Sequence, residues 1–103
     1  MATSREYIEN FLEMMAFRDV RVYPMMGEYV VYCNDIPVGC ICDNKLFVKI
    51  TRESRKLCPD APEIPPYSGA KPRFLIESND AEFLSELLHV LAANLPQTKK
   101  KRK

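Results

Sequence analysis

The chain has 103 residues, enough for one domain with one modest core. Apolar residues make up 47% and charged ones 28%, a globular balance that tells against disorder of the body. No apolar run approaches the roughly 20 residues of a membrane-spanning helix. The segment Met1–Glu6 lacks the apolar centre of a secretory signal, so a cytoplasmic protein with no membrane partner is expected. The formal net charge of +1 is unevenly placed. Lys99, Lys100, Lys101, Arg102 and Lys103 hold five of the 15 basic residues, leaving ten bases against 14 acids, a balance of −4. A globally basic nucleic-acid surface is not indicated; any such role belongs to the tail.

Ser4 to Ala16 reads as a helix. Thr3 with Glu6 three residues later fits a capping box, and Ile8, Phe11, Leu12 and Met15 form an apolar stripe. From Val20 to Ile50 the pattern becomes short strands rich in Val, Ile, Tyr and Phe. Val20–Tyr23 alternates, Pro24 to Gly27 reads as a turn or bulge, and Glu28–Cys33, Ile36–Cys42 and Lys45–Ile50 follow. Asn34-Asp35 and Asp43-Asn44 suit two-residue hairpin turns that need positive φ.

These turns set a register. Cys33 pairs with Ile36, Val31 with Val38, Tyr29 with Cys40, Cys42 with Lys45 and Cys40 with Phe47. One face then carries Tyr29, Val31, Cys33, Ile36, Val38, Cys40, Cys42 and Phe47; the other carries Val30, Tyr32, Ile41, Leu46, Val48 and Ile50. Both faces are apolar, and the chain has few helices to cover two. A second copy would supply the missing cover, so a homodimer is expected.

Thr51 to Leu57 reads as a short helix. Cys58–Pro66, with four prolines, reads as irregular or polyproline-like. Arg73–Glu77 is a fifth strand, and Asn79 or Asp80 caps a last helix to Asn94 whose buried row is Leu84, Leu87, Leu88, Leu91 and Leu95. The order predicts an α+β domain over residues 1–96 and a disordered basic tail over 97–103.

Little of this resembles catalytic machinery. Cys33, Cys40, Cys42 and Cys58 lack paired C-x-x-C spacing and read as free thiols in a reducing compartment, without metal or cofactor. His89, the one histidine, sits beside the leucine row and reads as structural or solvated. G-x-S-x-G, P-loop and H-E-x-x-H patterns are missing, and three glycines build no phosphate loop. Met25 and Met26 lie at a turn, where thioethers suit adaptable contacts.

Three segments resemble one family. Pro24-Met25-Met26-Gly27-Glu28-Tyr29 is similar to the Met-(Phe/Met)-Gly motif of the TfoX N-terminal domain family. Asp43-Asn44-Lys45-Leu46-Phe47-Val48-Lys49 resembles its Asp-x-x-Leu-x-x-Lys hairpin. Pro66-Tyr67-Ser68-Gly69-Ala70-Lys71 resembles the Pro-Tyr-x-Gly-Ala-Lys segment of a short, stand-alone branch. The resemblance runs from Ser4 to about Leu95. It implies a bacterial cytoplasmic protein with a two-layer fold whose antiparallel sheet is like that of type III secretion chaperones, commonly dimeric. Full-length members regulate natural competence with the cyclic-AMP receptor protein; their helical C-terminal domain has no counterpart here. The family brings no established catalytic residues.

The sequence therefore leads to a non-enzymatic regulatory or adaptor domain of the TfoX/Sxy type, homodimeric, acting through an unknown protein partner. The candidate contact surface is Met25, Met26, Gly27 and Glu28, joined by Tyr67 and Gly69. One alternative is a nucleic-acid-associated factor whose tail, Lys99, Lys100, Lys101, Arg102 and Lys103, binds weakly and without sequence preference. A second is a thiol-dependent enzyme or redox sensor using Cys40 or Cys42.

Overall fold

The computed structural model describes residues 3–16, 18–25 and 28–95. In chain order its elements are α1 (Arg5–Met14), β1 (Val20–Met25), β2 (Glu28–Cys33), β3 (Ile36–Cys42), β4 (Lys45–Val48), α2 (Arg52–Leu57), β5 (Glu63–Ile64), β6 (Arg73–Ile76) and α3 (Ala81–Asn94). The strands form one antiparallel sheet in the order β1-β2-β3-β4-β6-β5. This is the expected α+β fold, an antiparallel sheet with N- and C-terminal helices. The expected five strands become six, because Glu63-Ile64 in the proline-rich stretch pairs with Phe74 and Arg73. Among the described residues no helix is long and apolar enough to cross a membrane.

Local chemistry explains most boundaries. Asn34, Asp35, Asp43 and Asn44 all have positive φ, as the two-residue turns require, and they fix the β2–β3 and β3–β4 hairpins. At α3 the Asp80 carboxylate accepts from the backbone N–H groups of Glu82 and Phe83. At α2, Thr51 and Ser54 close a capping box, and the buried Ser54 hydroxyl also donates to the Lys49 carbonyl at 2.9 Å. The cap of α1 is Ser4 rather than Thr3: its Oγ accepts from Tyr7 N–H. Thr3 is engaged elsewhere, its hydroxyl accepting from Asn44 N–H and donating to Glu28 Oε1. Leu12 leaves the expected stripe and is 38% exposed, because Ile8, Phe11 and Met15 already fill the buried arc.

The largest departure is in β3. Cys33↔Ile36 and Tyr32↔Pro37 pair as the turn dictates, but Val31 pairs with Gly39 and Val30 with Cys40. Val38 is the extra residue of a β-bulge, so the expected pairs Val31–Val38 and Tyr29–Cys40 do not form. Gly39 is required there, since a Cβ would collide with the Phe47 carbonyl oxygen of β4. Beyond the bulge every side chain changes face. Ile41, Leu46 and Val48 join Val31 and Cys33 in the buried core, while Cys40, Cys42 and Phe47 move to the side of Val30 and Tyr32.

The core lies between this first face and the helices. Ile8, Phe11 and Met15, then Leu84, Leu87, Leu88 and Leu91, pack with Val31, Val38, Ile41, Leu46, Val48, Phe74 and Ile76. Cys58 and Leu57 bring α2 onto the same side, where Arg55 also stands over the Phe74 ring. Among the described residues, all three helices cover one face and none covers the other.

Candidate functional site

The uncovered face is the feature that sets this molecule apart from a closed two-layer domain. The ladder pairs Tyr23↔Val30, Val30↔Cys40, Cys40↔Phe47 and Phe47↔Leu75 align one continuous apolar row across five strands. Tyr23 is 49% exposed, and Met25 and Ile64 beside the row are 53% and 39% exposed. Tyr23 meets Tyr32 edge to face, with ring centroids 5.3 Å apart. Phe47 and Cys42 are buried although neither belongs to the helix-side core.

Charges flank the row unevenly. Glu28, Cys42 and Lys45 form the outward row at one end. Strand alternation puts Arg21, Lys49 and Arg73 at the other. Continuing the β4–β6 ladder sets Lys49 opposite Arg73, a like-charge juxtaposition. Burial, then the nearby Arg73, lowers the pKa of the Lys49 ammonium. Neither cation belongs to an ion pair among the described residues, where Lys45–Asp43 and Arg55–Glu63 are paired.

Cys40 and Cys42, successive outward residues of β3, place their sulfurs 3.8 Å apart. Burial raises both thiols, Cys42 to about 12, and the neighbouring Cys40 raises Cys42 further. They are protonated at neutral pH, unlike activated nucleophiles. Cys33 and Cys58 are buried on the helix side, and burial takes Cys33 to about 11. The expected grouping of Cys33 with Cys40 and Cys42 on one face therefore fails, because the bulge separates them. Among the described residues no three His, Cys, Asp or Glu side chains are grouped to hold a metal ion. His89 Nδ1–H donates to the Ser85 carbonyl one turn earlier at 2.7 Å, a local helix-face role. A cleft of about 140 Å³ opens between Tyr7, Phe11, Leu46, Ile76 and Leu84, below the roughly 300 Å³ of ordinary ligand pockets.

The sequence-derived contact residues do not come together. Met25 ends β1 and Glu28 opens β2, at one lateral edge of the sheet. Tyr67, 58% exposed, and Gly69, at φ +88°, lie on the connection from β5 to β6 at the opposite edge. The β1–β2 connection and the start of β6 also lie toward opposite strand ends, so the two loops occupy diagonal corners. Met26, Gly27 and the tail Lys99, Lys100, Lys101, Arg102 and Lys103 lie outside the described residues. Sequence reading missed Tyr23, Val30, Cys40 and Leu75 as one surface. The signal was Gly39, since a glycine inside a strand pattern marks a bulge.

The chain is 36% identical over 106 residues to "Uncharacterized 12.7 kDa protein in trpE 5'region" of Spirochaeta aurantia, covering 99% of this chain and 91% of that protein. No family model matches, and no solved structure matches. On that near full-length identity, the chain belongs to the same family as the spirochaetal 12.7 kDa protein.

Proposed function

We propose that this protein is a regulatory or adaptor domain of the TfoX type, without catalytic chemistry, acting in the cytoplasm as a homodimer through protein–protein contacts. The observation that carries the reading is the open sheet face, with its apolar row from Tyr23 to Leu75 and no helix over it among the described residues. Tyr23, Met25 and Ile64, the exposed apolar side chains on that face, mark it as an interaction surface. The TfoX reading rests on the three sequence motifs; the Asp43–Lys49 motif supplies the β3–β4 turn and β4. The protonated thiols favour binding over catalysis.

Light scattering at micromolar concentration should give about twice the 11.9 kDa chain mass. Affinity capture from the native cell at low salt should retain a protein that a Tyr23→Ser/Met25→Ser chain loses. A partner captured equally by both chains would refute the role of the face. A nucleic-acid partner is the second reading, favoured by the five tail cations and by the Lys49–Arg73 juxtaposition. Sequence-selective DNA binding that survives deletion of residues 99–103 would put it first.

A further inference from the structure

We infer that Cys40 and Cys42 are a reversible oxidation site for small anionic disulfides: Cys40 takes the first sulfur bond, Cys42 closes the intrachain disulfide, and Arg73 and Lys49 draw in the reagent's carboxylates. The inference goes beyond the adaptor reading and stands on geometry within one chain. The two sulfurs lie 3.8 Å apart on the outward side of β3. Cys33 and Cys58 are buried on the helix side, so the sheet separates them from this pair. Cys40 is half-buried, whereas Cys42 is only 2% exposed, so a reagent arriving from solvent meets Cys40 first.

The surroundings favour the same order. The Arg73 side chain lies against the Cys40 sulfur, and Lys49 stands opposite Arg73 on the continued β4–β6 ladder. Burial raises the pKa of Cys40, and the Arg73 charge opposes that rise. At Cys42 burial and the neighbouring Cys40 both act to raise it. Neither cation is ion-paired among the described residues, so both can attract a carboxylate. Glu28, whose charge also acts on the two thiols, stands at the other strand end, so an anionic reagent is guided to the Arg73 side.

In the exchange, the Cys40 thiolate attacks one sulfur of the reagent, forming a mixed disulfide and expelling one thiolate. The Cys42 thiolate then attacks the Cys40 sulfur, forming the Cys40–Cys42 bond and expelling the second. Two electrons pass from the pair to the reagent, and the two thiol protons end on the released thiols. Bonding of Cys40 also removes the part of the Cys42 pKa elevation that Cys40 supplies, leaving that of burial. The second step is intramolecular, so proximity drives it although the thiol is weakly ionised. Successive outward Cα atoms of a strand are about 6.6 Å apart, near the upper limit of about 6.8 Å for disulfides. The bond therefore closes under strain, and strained disulfides are the readily reduced, reversible ones.

Millimolar glutathione disulfide, applied to submicromolar chain so that the face stays open, tests the site. Proteolysis before Asp35 and Asp43 releases residues 35–42, whose cysteines are Cys40 and Cys42 alone. That peptide should lose two hydrogens in mass, and reduced glutathione should restore them. In the Cys42→Ser chain the reaction should stop at a glutathione adduct on Cys40. Charge is read by comparing glutathione disulfide with the neutral hydroxyethyl disulfide, each rate divided by that of free N-acetylcysteine. The ratio should favour the anionic reagent by about fivefold, and Arg73→Gln should remove the preference. In the unsubstituted chain, a peptide 35–42 that stays reduced, ends as a glutathione adduct with Cys42 unbonded, or resists reduced glutathione would overturn the reversible pair. Equal ratios for the two reagents would overturn the roles of Arg73 and Lys49.

Discussion

Substituting Gly39 by alanine tests the bulge that assigns residues to the two faces. A Cβ there would collide with the Phe47 carbonyl oxygen, with Val48 Cα at 3.1 Å and the Phe47 carbonyl carbon at 3.2 Å. All three are backbone atoms of β4, which is hydrogen-bonded to β3 on one side and β6 on the other. No rotamer change relieves the contact, so one strand must shift or the bulge must rearrange. The cost belongs at the upper end of overpacking, about 3 kcal/mol. That is a large share of the roughly 5–15 kcal/mol stability of a small domain, and it lowers Tm by roughly 12 to 24 °C.

Urea unfolding followed by circular dichroism measures the loss, with Gly69→Ala as the control. Gly69 has φ +88° but open space around it, so alanine there incurs only left-handed backbone strain, about 1 kcal/mol. A Gly39→Ala chain as stable as the Gly69→Ala chain would refute the close approach and the register built on it.

Further outcomes follow from individual groups. Ser54→Ala should cost about 2 kcal/mol in urea titration, because it removes a buried hydroxyl that serves the Lys49 carbonyl and the Thr51 N–H together. Cys33 and Cys42 are held at about 11 and about 12, above the ordinary thiol value of 9.0. A raised folded-state pKa means that the folded chain binds protons more tightly, so the contribution of these thiols is intact below about pH 9. Stability should then fall as pH rises toward 11 and 12; a urea midpoint equal at pH 8 and pH 10.5 would contradict the burial of both thiols. Deleting residues 99–103 should leave stability and dimer mass unchanged. It should abolish sequence-blind DNA attraction whose log–log salt slope is at most about −4.5 per chain for five phosphate contacts.

What was legible in the sequence had a local cause. The paired turn residues Asn34-Asp35 and Asp43-Asn44 supplied hairpins with the required positive φ, and the leucine row of α3 is buried from Leu84 to Leu91. The two ends of β3 were also correctly paired, Cys33 with Ile36 and Cys42 with Lys45. The β3–β4 pairing of Cys40 with Phe47 also held, but the β2–β3 pairing past Pro37 was not legible, because one inserted residue, Val38, exchanges faces for the rest of the strand. Both faces remained apolar on either register, so the hydrophobic pattern could not detect the slip. The α1 cap moved by one residue because Thr3 found partners 25 and 41 positions away, Glu28 and Asn44. Such long-range satisfaction leaves no mark on a helical start signal. The contact residues Met25, Glu28, Tyr67 and Gly69 came from motif membership, which carries no information about which sheet edge a loop occupies.

The edges of the sheet sharpen the proposal for its face. An exposed edge strand offers free backbone groups to another chain, and proteins blunt such edges with proline, charge or shortness. At one edge, β1 contains Pro24, which has no N–H to offer, and Arg21. At the other, β5 is only two residues long and begins with Glu63, whose carboxylate is paired with Arg55. Both edges are thus poor templates for strand addition. Over the same sheet face no helix lies among the described residues, and Tyr23, Met25 and Ile64 stand exposed on it. Self-association restrained at the edges and left open on the face leads to stacking of two sheets rather than to a continuous sheet. Stacking closes after two copies, whereas edge pairing leaves a further edge on each copy, so blunted edges favour a closed two-fold pair.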